Sequence, residues 1–162
     1  MKSGSHSDPV ARFITPFGNK AARDVTRLVF AGVFDRFLSL RFYFAETQVG
    51  WIPMWLQEMD DSYERNHIWA HELYGVKNLD RPPSDYVKEH FVWGFMKDPY
   101  GVRNRHEIGI EHVMWESDFP HSATDWPNSQ ETITKNFVGV PEDERHQMLV
   151  GNAVRFFGLD SE

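Results

Sequence analysis

Three short apolar runs narrow the fold more than any other feature: LRFYFA at 40–45, HFVWGFM at 90–96 and EHVMWES at 111–117. Such runs, aromatic and without polar alternation, suit strands buried on both faces, as strands of parallel sheets are. Helical patterns separate them. From Asn19 to Phe37, residues Ala22, Val25, Val29, Val33 and Phe37 recur at helical spacing, which predicts one amphipathic helix. From Trp51 to about Arg65, Pro53 sits in a first turn and Trp55, Leu56 and Met59 share a side, and His67–Tyr74 can extend that helix. Gly75–Ser84, with Pro82 and Pro83, reads as loop. A short helix over Tyr100–Ile108, a polar loop over Asp118–Pro127, and helices near Ser129–Phe137 and Glu142–Phe157 complete the order. Helix and strand therefore alternate, the pattern that builds a parallel sheet with right-handed crossovers. Three strands cannot close a barrel, which takes about eight strands and about 250 residues, so the sheet is either small and open or part of something larger.

Composition removes several function classes. The 162 residues suffice for one domain with a core, and 15% aromatic residues argue for a folded chain rather than a disordered one. A formal charge of −7, with no long basic run, disfavours nucleic-acid binding. The absence of cysteine excludes disulfide scaffolds, thiolate metal sites and cysteine nucleophiles, so any metal must use His, Asp, Glu or a lysine-derived ligand. No apolar run has the length of a membrane span and MKSGSHSDP has no signal-peptide core, which makes a cytoplasmic location the expectation. Phosphate loops, dinucleotide fingerprints and GxSxG elbows are missing as well.

The most pointed segment is VMWESDFPH, residues 113–121, where an apolar strand ends abruptly in Ser117, Asp118 and a proline loop carrying His121. In parallel α/β folds such strand ends face the active site. A carboxylate there can bind a divalent cation or accept a proton, and strand alternation puts Asp118 on one pleat face with Glu116 and Met114. Asp118 is the leading candidate, against the plainer reading that it caps the turn after it. Glu46 repeats the arrangement at the end of LRFYFA, its plainer reading being a favourable charge at a helix N-terminus. His121 and Trp126 are placed to touch a substrate or to fold the loop. His67 and His71 share a helical face, but Glu72 follows the second His, so the pattern is not HExxH and reads as helix surface. His90, His106, His112 and His146 show no organised neighbourhood, and Phe13, Phe17, Phe30, Trp55, Trp69, Trp93 and Trp115 read as packing residues.

Four ordered segments, AETQVGWIPMWLQEMDDSYER at 45–65, RPPSDYV at 81–87, VMWESDFPH at 113–121 and GNAVRFFGL at 151–159, together resemble the amidohydrolase-related family that includes aminocarboxymuconate semialdehyde decarboxylase. The resemblance implies an α/β fold: the C-terminal part of a (β/α)8 TIM barrel, about strands six to eight with their helices, as a single partial domain over 1–162 with 1–18 irregular. It makes Asp118 a metal ligand and proton-transfer residue at the end of strand eight. Glu46 falls at the end of strand six, where many members have His, and is the second candidate ligand; Trp51, in the GWIP stretch, joins His121 as a substrate contact. The family completes its metal site with an HxH pair on strand one, absent from this chain, and a His on strand five, where the MKSGS tail brings Lys2.

The activity implied is hydrolysis of a C–N or C–O bond, or non-oxidative decarboxylation of a small carboxylate. The implied cofactor is a divalent metal, zinc foremost, in the full-length family, with none an option for this chain, since one or two carboxylates without imidazoles bind zinc weakly. Two readings stand side by side: a truncated metal-dependent enzyme, weakly active or inactive alone on its small-molecule substrate, and a non-catalytic half-barrel. The second would act as a homo-oligomer or by pairing with a separate N-terminal half, because cut sheets expose edges that seek partners.

Overall fold

The computed structural model describes residues 18–159; MKSGS, Phe13 and Phe17, and the expectations attached to them, lie outside these residues. Helix α1 (Gly18–Phe30) and a single turn α2 (Val33–Arg36) lead into strand β1 (Phe42–Phe44). Then come α3 (Ile52–Tyr74), α4 (Pro83–His90), β2 (Phe91–Phe95), the short α5 (Pro99–Arg103) and α6 (Arg105–Ile108), a 3-10 turn and β3 (Val113–Trp115). Helices α7 (Ser129–Asn136), α8 (Glu142–His146) and α9 (Asn152–Phe157) close the described chain, the last two joined by a π turn, Gln147–Gly151. The sheet is parallel in the order β1-β2-β3, with Phe44 beside Trp93 and Trp93 beside Val113. The alternation of helix and parallel strand is the one expected.

Several boundaries differ, each for a physical reason. The helix expected over Asn19–Phe37 breaks at Gly32, whose φ of 66° is left-handed and open to glycine without strain. The break turns Phe34 into the core and leaves Phe37 57% exposed. Strand β1 is half-buried rather than buried on both faces, because it lies at an outer edge of the described sheet. The loop expected through Ser84 ends at Pro82. There α4 starts with Pro83 in its first turn, and Ser84 is tied to Asp60 through its N–H (2.8 Å) and its hydroxyl (2.5 Å). The third strand contracts to Val113–Trp115, since His112 belongs to the 3-10 turn and Ser117 to the loop beyond.

One face of the sheet carries the core. Val25 and Val29 of α1, Phe34, Ile52 and Leu56 of α3, Val87 of α4 and Met148 cover Phe91, Trp93, Phe95 and Val113. Rings on β1 and β2 stack or tilt together: Phe42 on Phe91 (5.6 Å) and Phe44 on Trp93 (5.5 Å) between the strands, and Phe91 on Trp93 (5.9 Å) within β2. Fully buried Phe91 contributes about 1.5–3 kcal/mol by burial, and the half-buried Phe42 and Phe44 less. His90, expected to have no role, is 1% exposed and stacked on Phe34 at 4.2 Å, its Nδ1 2.9 Å from the Leu40 carbonyl. Trp69, expected to pack, is instead exposed near the end of α3, because the last turns of that helix run past the sheet-facing stretch that ends at Met59. His67 and His71 sit on that helix with their Nδ1 atoms against the carbonyls of Tyr63 and Val76, and among the described residues they belong to no cluster of metal-binding side chains.

Candidate metal centre at the strand ends

Among the described residues, three non-glycine residues have left-handed backbone, Glu46 (φ 59°), Gln48 (φ 54°) and Asp118 (φ 55°), and all three follow the C-terminal ends of strands. Such conformations cost about 1–3 kcal/mol each and persist where the surroundings impose them. Two anchors do so after β1. The Asp98 carboxylate accepts the N–H groups of Val49 and Gly50 (both 2.7 Å) and of Gly101 (2.8 Å), stitching the turn before α3 to the start of α5. Glu116 accepts the Glu46 N–H on Oε1 and the Tyr43 hydroxyl on Oε2 at 2.5 Å.

The turns bring Glu46, Asp118 and His121 together, with one candidate ligand atom from each lying within 4.8 Å of the others. His121 Nδ1 stands 2.6 Å from Asp118 Oδ2, and the side chains are 61% and 17% exposed. Burial, then the Asp118 charge and a hydrogen bond to Asp118, hold the Glu46 carboxyl above its ordinary range; Glu116 adds to this and His121 opposes it. The Tyr43 phenol is pushed up by burial and by Glu116, and so remains a protonated donor.

Sequence reasoning placed Asp118, Glu46 and His121 as candidates, and the fold gathers these three. Asp118 does not continue the pleat, however. Glu116 still pairs its N–H with the Phe95 carbonyl (3.0 Å), and the left-handed Asp118 then turns the chain. Trp51 lies outside the group, packed beside Trp55 (5.2 Å) and edge-on to Trp93 (5.6 Å) with its indole N–H on the carbonyls of Thr47 and Gln48. Trp126 is exposed and tilted against Phe119, the residue after Asp118, at 5.3 Å. Glu116 is the member that sequence reasoning left without a role. Its only signal was its place two residues before Asp118 on the same strand face.

Comparison with known proteins gives the family. The amidohydrolase family model matches residues 9–159. The chain is similar to 5-carboxyvanillate decarboxylase LigW from Sphingomonas paucimobilis, at 24% identity and a TM-score of 0.70, over 92% of this chain and 45% of that one. It is also similar to a dihydroxybenzoic acid decarboxylase from Polaromonas sp., solved with bound manganese and the inhibitor 2-nitroresorcinol (20%, TM-score 0.69, 94% and 45%). A third likeness is to an amidohydrolase from Mycobacterium avium subsp. paratuberculosis (14%, TM-score 0.74, 96% and 37%). At these identities what is shared is the fold, an α/β arrangement with a small parallel sheet similar to that of amidohydrolase TIM-barrel proteins. The chain spans less than half the length of these solved structures. No curated protein matches. With 151 of its 162 residues inside the family model, the chain belongs to the amidohydrolase family.

Proposed function

We propose that the chain carries the strand-six to strand-eight part of a metal-dependent amidohydrolase barrel whose activity is non-oxidative decarboxylation of a small, hydroxylated aromatic carboxylate. The observation that carries this reading is the meeting of Glu46, Asp118 and His121 at the strand ends. Two carboxylates and an imidazole are a donor set suited to a borderline or hard divalent cation. The Glu46 carboxyl is raised by burial first and by the neighbouring Asp118 and Glu116 charges second, and a cation there would offset the latter. Manganese, bound by the Polaromonas decarboxylase, fits these donors as well as zinc does. The HxH imidazoles implied by the family resemblance are not in this chain, so tight binding needs them from preceding strands.

Glu46 and Asp118 would hold the cation. A bound cation polarises a substrate carboxylate or phenolate. Asp118 holds the His121 imidazole through Nδ1, and the ring, more than half exposed, is reachable by a substrate. When the bond to the carboxylate carbon breaks, the electron pair stays on the ring carbon, which must take a proton as CO2 leaves. The His121–Asp118 pair is placed to hold and deliver that proton. The exposed Phe119 and Trp126 rings offer an apolar wall for the aromatic body of the substrate.

Calorimetric titration of the chain with MnCl2, with CO2 release from 5-carboxyvanillate and dihydroxybenzoic acid measured alongside, tests this. Weak binding of about one Mn(II) by the chain alone, lost in Asp118→Ala, is expected. Wild-type and Asp118→Ala chains that bind alike would remove the metal reading; water incorporation into product without CO2 would replace decarboxylation with hydrolysis.

A second reading is a half-barrel that works by association. It is favoured by the outer positions of β1 and β3, each paired on one side only among the described residues. Sedimentation separates the two, since a compact monomer at micromolar concentration argues against association.

A further inference from the structure

Glu116 stands two residues before Asp118, and its carboxylate accepts hydrogen bonds from two donors. One oxygen receives the Tyr43 hydroxyl and the other the backbone N–H of Glu46. Tyr43 lies on β1 and Glu116 just past β3, so the bridge passes over β2, between them. It crosses at Gly94: a Cβ there would collide with both the Glu116 carboxylate and the Tyr43 hydroxyl. The missing side chain is what lets two residues on non-adjacent strands meet. Tyr43 is itself held from behind, its ring against Phe156 (6.1 Å) and Phe157 (5.9 Å) of α9. The end point of this relay is a backbone N–H belonging to one of the three strained residues, the one whose side chain must reach Asp118.

We propose that Glu116, braced by Tyr43 across Gly94, is a positioning residue that pins the Glu46 backbone in its left-handed conformation and so aims the Glu46 carboxylate at Asp118. This rests on the reading of Glu46 and Asp118 as metal ligands for its consequence, but not for its geometry. Glu116 acts through an acceptor oxygen, not through its charge, and touches neither the cation nor the substrate. Its role is that of the outer groups that fix a ligand's orientation.

Three variants of the chain decide it: Glu116→Gln, which keeps an acceptor oxygen, Glu116→Ala, which removes it, and Tyr43→Phe, which removes only the brace. The first readout needs no metal. By amide hydrogen exchange, the Glu46 N–H is expected to be protected in the wild type and in Glu116→Gln. It should exchange at least about tenfold faster in Glu116→Ala, with Tyr43→Phe between. The second readout is Mn(II) affinity, expected to fall about 10- to 100-fold in Glu116→Ala and little in Glu116→Gln. Unchanged Glu46 exchange in both Glu116→Ala and Tyr43→Phe overturns the proposal. So does a Glu116→Gln variant that loses Mn(II) as completely as Glu116→Ala while its Glu46 N–H stays protected, because Glu116 would then be acting by charge. If Glu116→Ala fails to fold, Tyr43→Phe gives the same two readings. A wild type that binds no Mn(II) removes the metal reading alone, since the exchange experiment still decides whether the pin exists.

Discussion

The helix-packed face of the sheet and its C-terminal rim are built on opposite terms. On the packed face, Phe34, Phe91 and Trp93 are all about 1% exposed or less, and the one titratable ring among them, His90, has its Nδ1 on a carbonyl. None of these residues has left-handed backbone, and the one loose end beside them is the buried Trp115 indole N–H, which has no partner among the described residues. The rim, by contrast, collects the three left-handed non-glycine residues of the described chain and crowds Glu46, Asp118 and Glu116 together. Close packing explains the first region. In the second, the anchors at Glu116 and Asp98 hold the turn, the His121 ring lies against Asp118, and adjacent carboxylates repel each other unless something compensates them. The fold holds the rim against its own preference.

Substitutions should separate the two regions cleanly. Trp93→Ala removes the ring that joins Phe44, Trp51, Trp55 and Phe91, and a loss of about 3–5 kcal/mol in denaturant unfolding is expected. Mn(II) affinity measured well below the melting midpoint should hold; a large drop there would mean that the rim is not independent of the core. Asp98→Ala acts at the seam. It strands three N–H donors and should cost about 3 kcal/mol, and it should also release the Glu46–Gly50 turn, visible as faster exchange of the Val49 and Gly50 amides. If those amides stay protected, some other contact holds the turn.

Glu46→Gln reverses the usual direction of a mutation. The carboxyl of Glu46 is held above its ordinary range by burial and by Asp118, so in the folded chain its neutral form is favoured. A raised carboxyl contributes stability below the unfolded value and loses it as pH rises through the folded one. The metal-free wild type should therefore be less stable at pH 7 than at pH 5 on this group's account, and Glu46→Gln should melt higher at pH 7 while binding Mn(II) more weakly. Thermal melts at both pH values with and without Mn(II) check this. A variant that melts lower at pH 7 would show that the rim is not charge-strained.

How legible these two regions were in the sequence follows from how local their signals are. The strands announced themselves through LRFYFA, HFVWGFM and EHVMWES, because short apolar runs without polar alternation suit a parallel sheet. Their ends did not, since whether His90 closes a helix or opens a strand depends on Phe34 and Leu40, some 50 residues away. The half-burial of β1 was equally hidden, being set by which neighbours the sheet supplies. At the rim, Asp118 and Glu46 were each visible as an acid ending an apolar run. The bridge from Glu116 to Tyr43 was not, because its condition is a bare Gly94 on the strand between, and a lone glycine in a strand carries many meanings.

The smallest expected effect tests whether the packed side depends on charge at all. Asp35 follows Phe34, accepts a hydrogen bond from Tyr86 at 3.2 Å and pairs with Lys77. Lys77, ahead of Tyr86, holds the Asp35 carboxyl below its ordinary range. A depressed carboxyl contributes stability above its unfolded value, near 4, and that contribution fades as pH falls through the folded one. Asp35→Asn should thus lower the melting midpoint by only about 1–2 °C at pH 7, since the pair is partly exposed and screened by solvent. The difference should shrink as pH falls below the unfolded value and on adding salt. A variant that loses as much at low pH as at pH 7 would show that Asp35 acts there through shape or hydrogen bonding rather than charge. The Asp35–Lys77 pair would then add no charge-dependent stability to the packed side, leaving the Arg81–Glu89 and Arg105–Glu144 pairs as the places to look for it.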